Sequence, residues 1–130
     1  MNFRLKTTEE VAEILKELQS TTNLRPNLLS RIAISLSVLE KSIPNYVESD
    51  LNGLDFNRAT LTGDQDYFYK AIITQHFGKP LTEEEYFPDL FNAHLTRGIE
   101  ILSNEYKHLG NYEKLLNYLV NISITQLGEV

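Results

Sequence analysis

Hydrophobic and polar positions along the chain change period several times, and each change marks an element. Asn2 to Lys6 alternates, with Asn2, Arg4 and Lys6 on one face and Phe3 and Leu5 on the other, the period-two signature of a half-buried strand. Five residues cannot form a sheet alone, and the only other strand candidate is weak and lies far along the chain. The economical partner is therefore the same strand of a second subunit. Thr7 or Thr8 caps a helix with Glu9 and Glu10 in its first turn, where the macrodipole favours anions. Val11, Ile14, Leu15 and Leu18 follow at helical spacing.

Asn23 to Pro26 interrupts this pattern, with Pro26 suited to the first position of a new helix. Leu28, Leu29, Ile32, Ala33, Leu36 and Leu39 mark its apolar stripe, with Arg31 and Ser35 towards the other side. Residues 42–64 are rich in Asn, Asp, Gly and Ser, and a structureless loop of that length is unusual in a compact domain. A short extended segment pinned by Phe56 and Leu61 is expected within it. Asp66 to Phe77 resumes helical spacing through Tyr67, Phe68, Ala71, Ile72 and Gln75, and Gly78 and Pro80 end it. Thr82-Glu83-Glu84-Glu85 has the form of a capping box. Pro88 restarts or bends a helix carrying Phe91, Leu95, Gly98, Ile99, Leu102 and Tyr106. A last helix runs from Asn111 to about Ser123, with more apolar side chains than one narrow stripe needs and room for contact with another subunit.

These elements predict a mainly α chain: a ribbon-helix-helix-like unit over residues 1–41, an irregular connection over 42–64, and a helical part over 65–130. Together they form one domain of 130 residues, long enough to bury a core without staples. In the ribbon-helix-helix plan two chains pair their strands, and the polar face of the ribbon enters a major groove.

Composition and charge change the picture. The absence of cysteine excludes disulfides, thiolate catalysis and Cys-based zinc sites, and it fits a reducing cytoplasm. The first residues lack the apolar run of a signal peptide, and no stretch approaches a membrane span. The net charge of −6 argues against a nucleic-acid partner until its distribution is considered. Residues 1–41 carry six basic and five acidic side chains, whereas 42–130 carry six basic and thirteen acidic ones. A locally basic amino-terminal unit on an acidic body can still hold phosphate, with high salt sensitivity.

The candidate DNA-binding residues are Arg4 and Lys6 on the strand face, Asn27 at the start of the second helix, and Arg25 and Arg31 flanking it. Each has a plain alternative: a solvated sheet edge for the first two, an ordinary helix start for the others. His94 and Arg97, three apart on one helix, could act on a phosphodiester, but the neighbouring Phe91 and Gly98 favour a hydrogen-bonded core histidine. Glu105 and His108 form one Glu-x-x-His pair where a di-metal bundle needs two. Pro88-Asp89 with Glu105-Tyr106-Lys107 matches a nuclease string, yet continuous helical spacing would set the two acids about 24 Å apart. Asp50, Asn52, Asp55 and Asn57 miss the spacing of a calcium loop, with Leu61 where Glu is required. No Gly-rich phosphate loop or nucleophile elbow occurs. No catalytic residue, metal ligand or cofactor is assigned.

The segments TTNLRPNLLSRIAISLSVLEKS, DLNGLDFNRATLTGDQDYFYKAII and FNAHLTRGIEILSNE, in that order and spacing, resemble the DndE family of DNA sulfur-modification proteins over roughly residues 3–107. The resemblance implies a part in DNA phosphorothioation, in which sulfur replaces a non-bridging phosphate oxygen and other proteins supply the desulfurase, iron–sulfur and ATP chemistry. It further implies a helical, ribbon-helix-helix-type protein that forms homo-oligomers, dimeric or tetrameric, and binds duplex or nicked DNA alongside the other modification proteins of a restriction-modification system. The alternatives within that system are a divalent-metal-dependent nickase, using carboxylates of residues 50–66 with His94 or Arg97, and a scaffold that binds only protein. The helix beyond Lys107 has no counterpart in the resemblance.

Overall fold

The structure, a computed structural model, describes residues 2–48 and 50–128, with side chains through Ile122. The order is β1 (Arg4–Lys6), α1 (Glu9–Thr22), α2 (Pro26–Ser37), β2 (Asp55–Asn57), α3 (Arg58–Thr62), α4 (Asp66–Phe77), α5 (Phe91–Leu109) and α6 (Tyr112–Gly128). The fold is mainly α, as the periodicity indicates. Local signals act where they are written. The Thr8 side chain accepts from the Val11 amide to cap α1, Pro26 occupies the first turn of α2, and Gly78 closes α4 in the left-handed region. Thr82 and Glu85 exchange both bonds of a capping box, at 2.9 and 3.2 Å.

One expectation is corrected at the first element. The strand does not wait for a second subunit. It pairs antiparallel with β2 of its own chain, Arg4 opposite Asn57, Leu5 opposite Phe56 and Lys6 opposite Asp55. Pairing continues past the ladder through the Arg58 amide to the Phe3 carbonyl at 2.7 Å and the Thr7 amide to the Leu54 carbonyl at 2.9 Å. On the opposite edge of β1, Asn92 Nδ2 donates to the Lys6 carbonyl at 3.1 Å. Strand, helix, helix is thus the observed order, but the ribbon closes within the chain. The weak strand signal was the true partner because Phe56 shares the burial of Leu5, which a five-residue window underweights.

The core lies between α2 and α5, with α1 and the turn over Glu85–Leu90 around it. Where α2 and α5 touch, Gly98 faces the Ala33 carbonyl so closely that any Cβ would collide with it. Leu29, Ala33 and Ile34 on α2 and Leu95, Ile99 and Leu102 on α5 are all buried in the same cluster. Two apolar positions of the α2 stripe, Leu28 and Leu39, are exposed, Leu39 because the helix ends at Ser37. On α4 the buried face is Tyr69 and Ile73, while Tyr67 is 88% and Phe68 57% exposed, the reverse of the expected side. The Phe56–Leu61 segment is half as expected. Phe56 lies on β2, and buried Leu61 lies on the short helix α3. Helix α6 buries Leu115 and packs Tyr118, Leu119 and Ile122 on the core of its own chain, leaving Leu116 and Val120 exposed. The apolar position at Ile124 lies outside the described side chains.

Arg58 joins these parts. Its side chain is 9% exposed, and Nε and Nη2 reach Asp66 at 3.0 and 2.8 Å. Nη2 also lies 2.7 Å from Glu83 Oε1, and Nη1 donates to the Asn2 carbonyl at 3.2 Å. The guanidinium lies over the Phe87 and Tyr86 rings, 4.8 and 5.2 Å from their centroids. Burial alone would raise the Asp66 carboxyl, but the Arg58 hydrogen bonds and charge hold it below the usual range. Lys70, then Arg58, does the same for Glu83.

Two outcomes are expected. Gly98→Ala should lower the urea midpoint by the equivalent of about 1–3 kcal/mol, because α2 and α5 must part; an unchanged midpoint would contradict the close approach. Arg58→Met should cost about 3–5 kcal/mol by stranding two carboxylates. Since both acids titrate lower in the folded chain, their contribution is present at neutral pH and is lost as pH falls through their lowered folded values. The variant should therefore show a flatter acid limb than the parent in urea melts taken across pH 3–7.

Candidate nucleic-acid interface

Side-chain alternation on β1 and β2 turns Leu5 and Phe56 into the core and leaves Arg4, Lys6, Asp55 and Asn57 outward. The outward face therefore carries two cations and one anion. Arg4 Nη1 lies 3.8 Å from Asp55 Oδ1, with side chains 65% and 44% exposed, a geometry worth little in water. Lys6 is exposed, and no carboxylate within 4 Å pairs with it among the described residues.

The other three candidates divide. Arg25 is the exposed residue immediately before α2, and its side chain makes no capping bond. Asn27 Nδ2 makes a long 3.5 Å contact to the Thr60 carbonyl. Arg31 donates from Nε to the Leu61 carbonyl at 2.7 Å and from Nη2 to the Thr60 carbonyl at 3.1 Å. Its guanidinium thus holds the carboxyl end of α3, where a cation is electrostatically favoured. Segment 55–62 links the two groups. Arg4 and Lys6 flank its strand end, and Asn27 and Arg31 hold its helical end, about 7 Å further along at 1.5 Å per helical residue. Sequence reasoning missed Asn57, which stands opposite Arg4 and also caps α3 by accepting from the Ala59 amide at 2.9 Å. Its signal was an Asn immediately before a helix-compatible run.

The nickase candidates are used elsewhere. His94 is buried, and its Nδ1 shares a 2.8 Å hydrogen bond with Ser37 Oγ. Arg97 Nε donates to the same Oγ at 2.9 Å, and Arg97 also donates to the Ser37 and Ser42 carbonyls at 2.7 and 2.8 Å. The His76 ring stands edge-on to His94, with centroids 4.9 Å apart. Burial, then the proximity of His76 and Arg97, pushes His94 down to about 3. It is therefore a neutral core residue that ties α5 to the end of α2, as its apolar neighbours indicate. The acids of the 50–66 stretch are dispersed. Asp50 accepts from Asn52, Asp55 lies beside Arg4, and Asp66 holds Arg58. Among the described residues no three His, Cys, Asp or Glu side chains converge as metal ligands, and no helix is long and apolar enough to cross a membrane.

The arrangement can be set against known proteins. The model of the family described as DNA sulphur modification protein DndE matches residues 4–110. The chain belongs to the DndE family. Among solved structures it is similar to DndE from Escherichia coli B7A, described as involved in DNA phosphorothioation modification, at 21% identity and TM-score 0.66 over 78% of this chain and 97% of that one. It is also similar to a substitution mutant of DndE involved in DNA phosphorothioation, at 22% identity and TM-score 0.62 over 80% and 99% of the two chains. At that identity the likeness to these structures is one of fold. No curated protein matches. Helix α6 begins beyond the last residue of the DndE match.

In an NMR titration, the His94 ring should remain neutral until about pH 3, whereas an ordinary histidine protonates near 6.5. Because the folded value lies below the unfolded one, the unfolded chain takes up the extra proton between them. Stability should then fall with decreasing pH across that window, by up to about 1.4 kcal/mol per pH unit. A His94 inflection near 6.5 would contradict the buried placement.

Proposed function

We propose that this DndE-family chain is a non-catalytic DNA-binding subunit of the phosphorothioation machinery, holding duplex or nicked DNA for the partners that incorporate sulfur. The observation that carries the reading is the outward face of the β1–β2 ribbon. Leu5 and Phe56 fix it from beneath, and Arg4 and Lys6 stand exposed on it. Arg25 extends the positive surface to the start of α2. Arg31 and Asn27 contribute chiefly by fixing α3, so their role is to position the ribbon. The engagement of His94 and Arg97 with Ser37 supports a binding subunit over a nickase. Exposed Tyr67 and Phe68 on α4 supply apolar surface for homo-oligomers, dimeric or tetrameric, and the setting is the cytoplasm, where the DNA is.

Fluorescence anisotropy on intact and nicked duplex, titrated with salt, tests this. The Arg4→Gln/Lys6→Gln variant should bind more weakly at every sequence and lose about 2 from the log–log salt slope, near 0.9 for each phosphate released. Lys114→Gln, on α6, should leave the slope unchanged. An identical slope in the double variant removes the ribbon from the interface.

A further inference from the structure

The start of α5 carries an acceptor that the described residues leave unpaired. Asn92 is 5% exposed, its Nδ2 is committed to the Lys6 carbonyl, and its Oδ1 has no partner among the described residues. A buried oxygen left unpaired is costly, so such an atom calls for a donor. Asn92 lines a cavity of about 60 Å3, together with Tyr46, Val47, Leu51, Pro88 and Asp89. The walls are apolar and aromatic, one acceptor is buried, and one carboxylate is exposed.

Charge selects among donors. Burial, then Glu84 and Glu85, raises the Asp89 carboxyl, which shows the field of neighbouring acids. The amino end of α5 opposes a cation with about half an elementary charge, against the full charges of the nearby carboxylates. Water would meet the polar groups of Asn92, Asp89 and Tyr46, but it would leave the Asp89 charge uncompensated. A primary ammonium at the end of a methylene chain offers donors to both acceptors, a charge to match Asp89, and an apolar stem for a lining that includes Val47, Leu51 and Pro88.

We propose that this cavity receives the ammonium end of a lysine side chain presented by a protein partner. The proposal stands apart from the DNA-binding reading, since the cavity shares no side chain with the ribbon face. It assigns the acidic part of the chain to protein contact.

The test uses the full chain, isotope-labelled, titrated with the peptide acetyl-Gly-Lys-Gly-amide and followed by NMR. Saturable shifts are expected at the Asn92 side-chain amide and at the Val47 and Leu51 methyls, with weak affinity for a single side chain. Asp89→Asn should weaken binding about fivefold, the effect of losing one partly exposed ion pair, at unchanged thermal stability. The same peptide with its lysine Nε-acetylated should produce no saturable shift. The absence of saturation with the lysine peptide, equal shifts with the acetylated peptide, or the same shifts with potassium or ammonium chloride alone would each overturn the proposal. None of these results would touch the salt slope of DNA binding.

Discussion

A single buried guanidinium sets the geometry of the amino-terminal half. Arg58 follows β2 directly, and it satisfies its donors on Asp66 at the start of α4, Glu83 before the kinked turn, and the Asn2 carbonyl ahead of β1. Pulling one cation out of water costs several kcal/mol unless geometry and hydrogen bonding repay it. Here two carboxylates, a carbonyl and two aromatic faces do so. The consequence is positional. The strand pair cannot slide without unpairing a buried charge, so the outward faces of Arg4 and Lys6 are held relative to α4. The Tyr86 hydroxyl, donating to Asp66 at 3.2 Å, closes the same network from the α5 side.

Much of this was legible in the residues, and the misses share a cause. Caps, stops and breaks depend on neighbours within four residues, and Thr8, Pro26, Gly78 and the Thr82–Glu85 box all act as their local chemistry dictates. The partner of β1 depends on Phe56, some fifty residues away, and no local period contains that information. The α4 face failed differently. Tyr67, Phe68, Ala71 and Ile72 make as good a stripe as Tyr69, Ile73 and half-buried Phe77, and only the tertiary position of Arg58 and Phe91 decides between them. Arg58 was missed as a core residue because a charged side chain is assigned to the surface unless its partners are known. Gly98, by contrast, stood in the apolar stripe, and its role is the close passage of α2 that any side chain would block.

The candidate site was legible in identity more than in arrangement. Arg4 and Lys6 face outward as alternation requires, yet the ribbon they lie on comes from one chain. Arg31 had the composition of a phosphate contact and the geometry of a helix cap. A guanidinium that donates to two carbonyls at the end of α3 gains from the dipole there, and those donors are no longer available to another acceptor.

The remaining cations limit how DNA would be held. Three phosphate contacts from Arg4, Lys6 and Arg25 imply a salt slope near 2.7, so affinity would fall about 40-fold between 50 and 200 mM salt. On a chain of net charge −6 that is a weak site for one copy. Two copies on one duplex would double the slope and convert the second engagement into an intramolecular event. An oligomer that sets several ribbons along the helix would therefore gain affinity without any further basic residue. Under the DNA-binding reading, self-association through surfaces such as exposed Tyr67 and Phe68 is thus a condition of useful binding, because the charge on one ribbon cannot supply it alone.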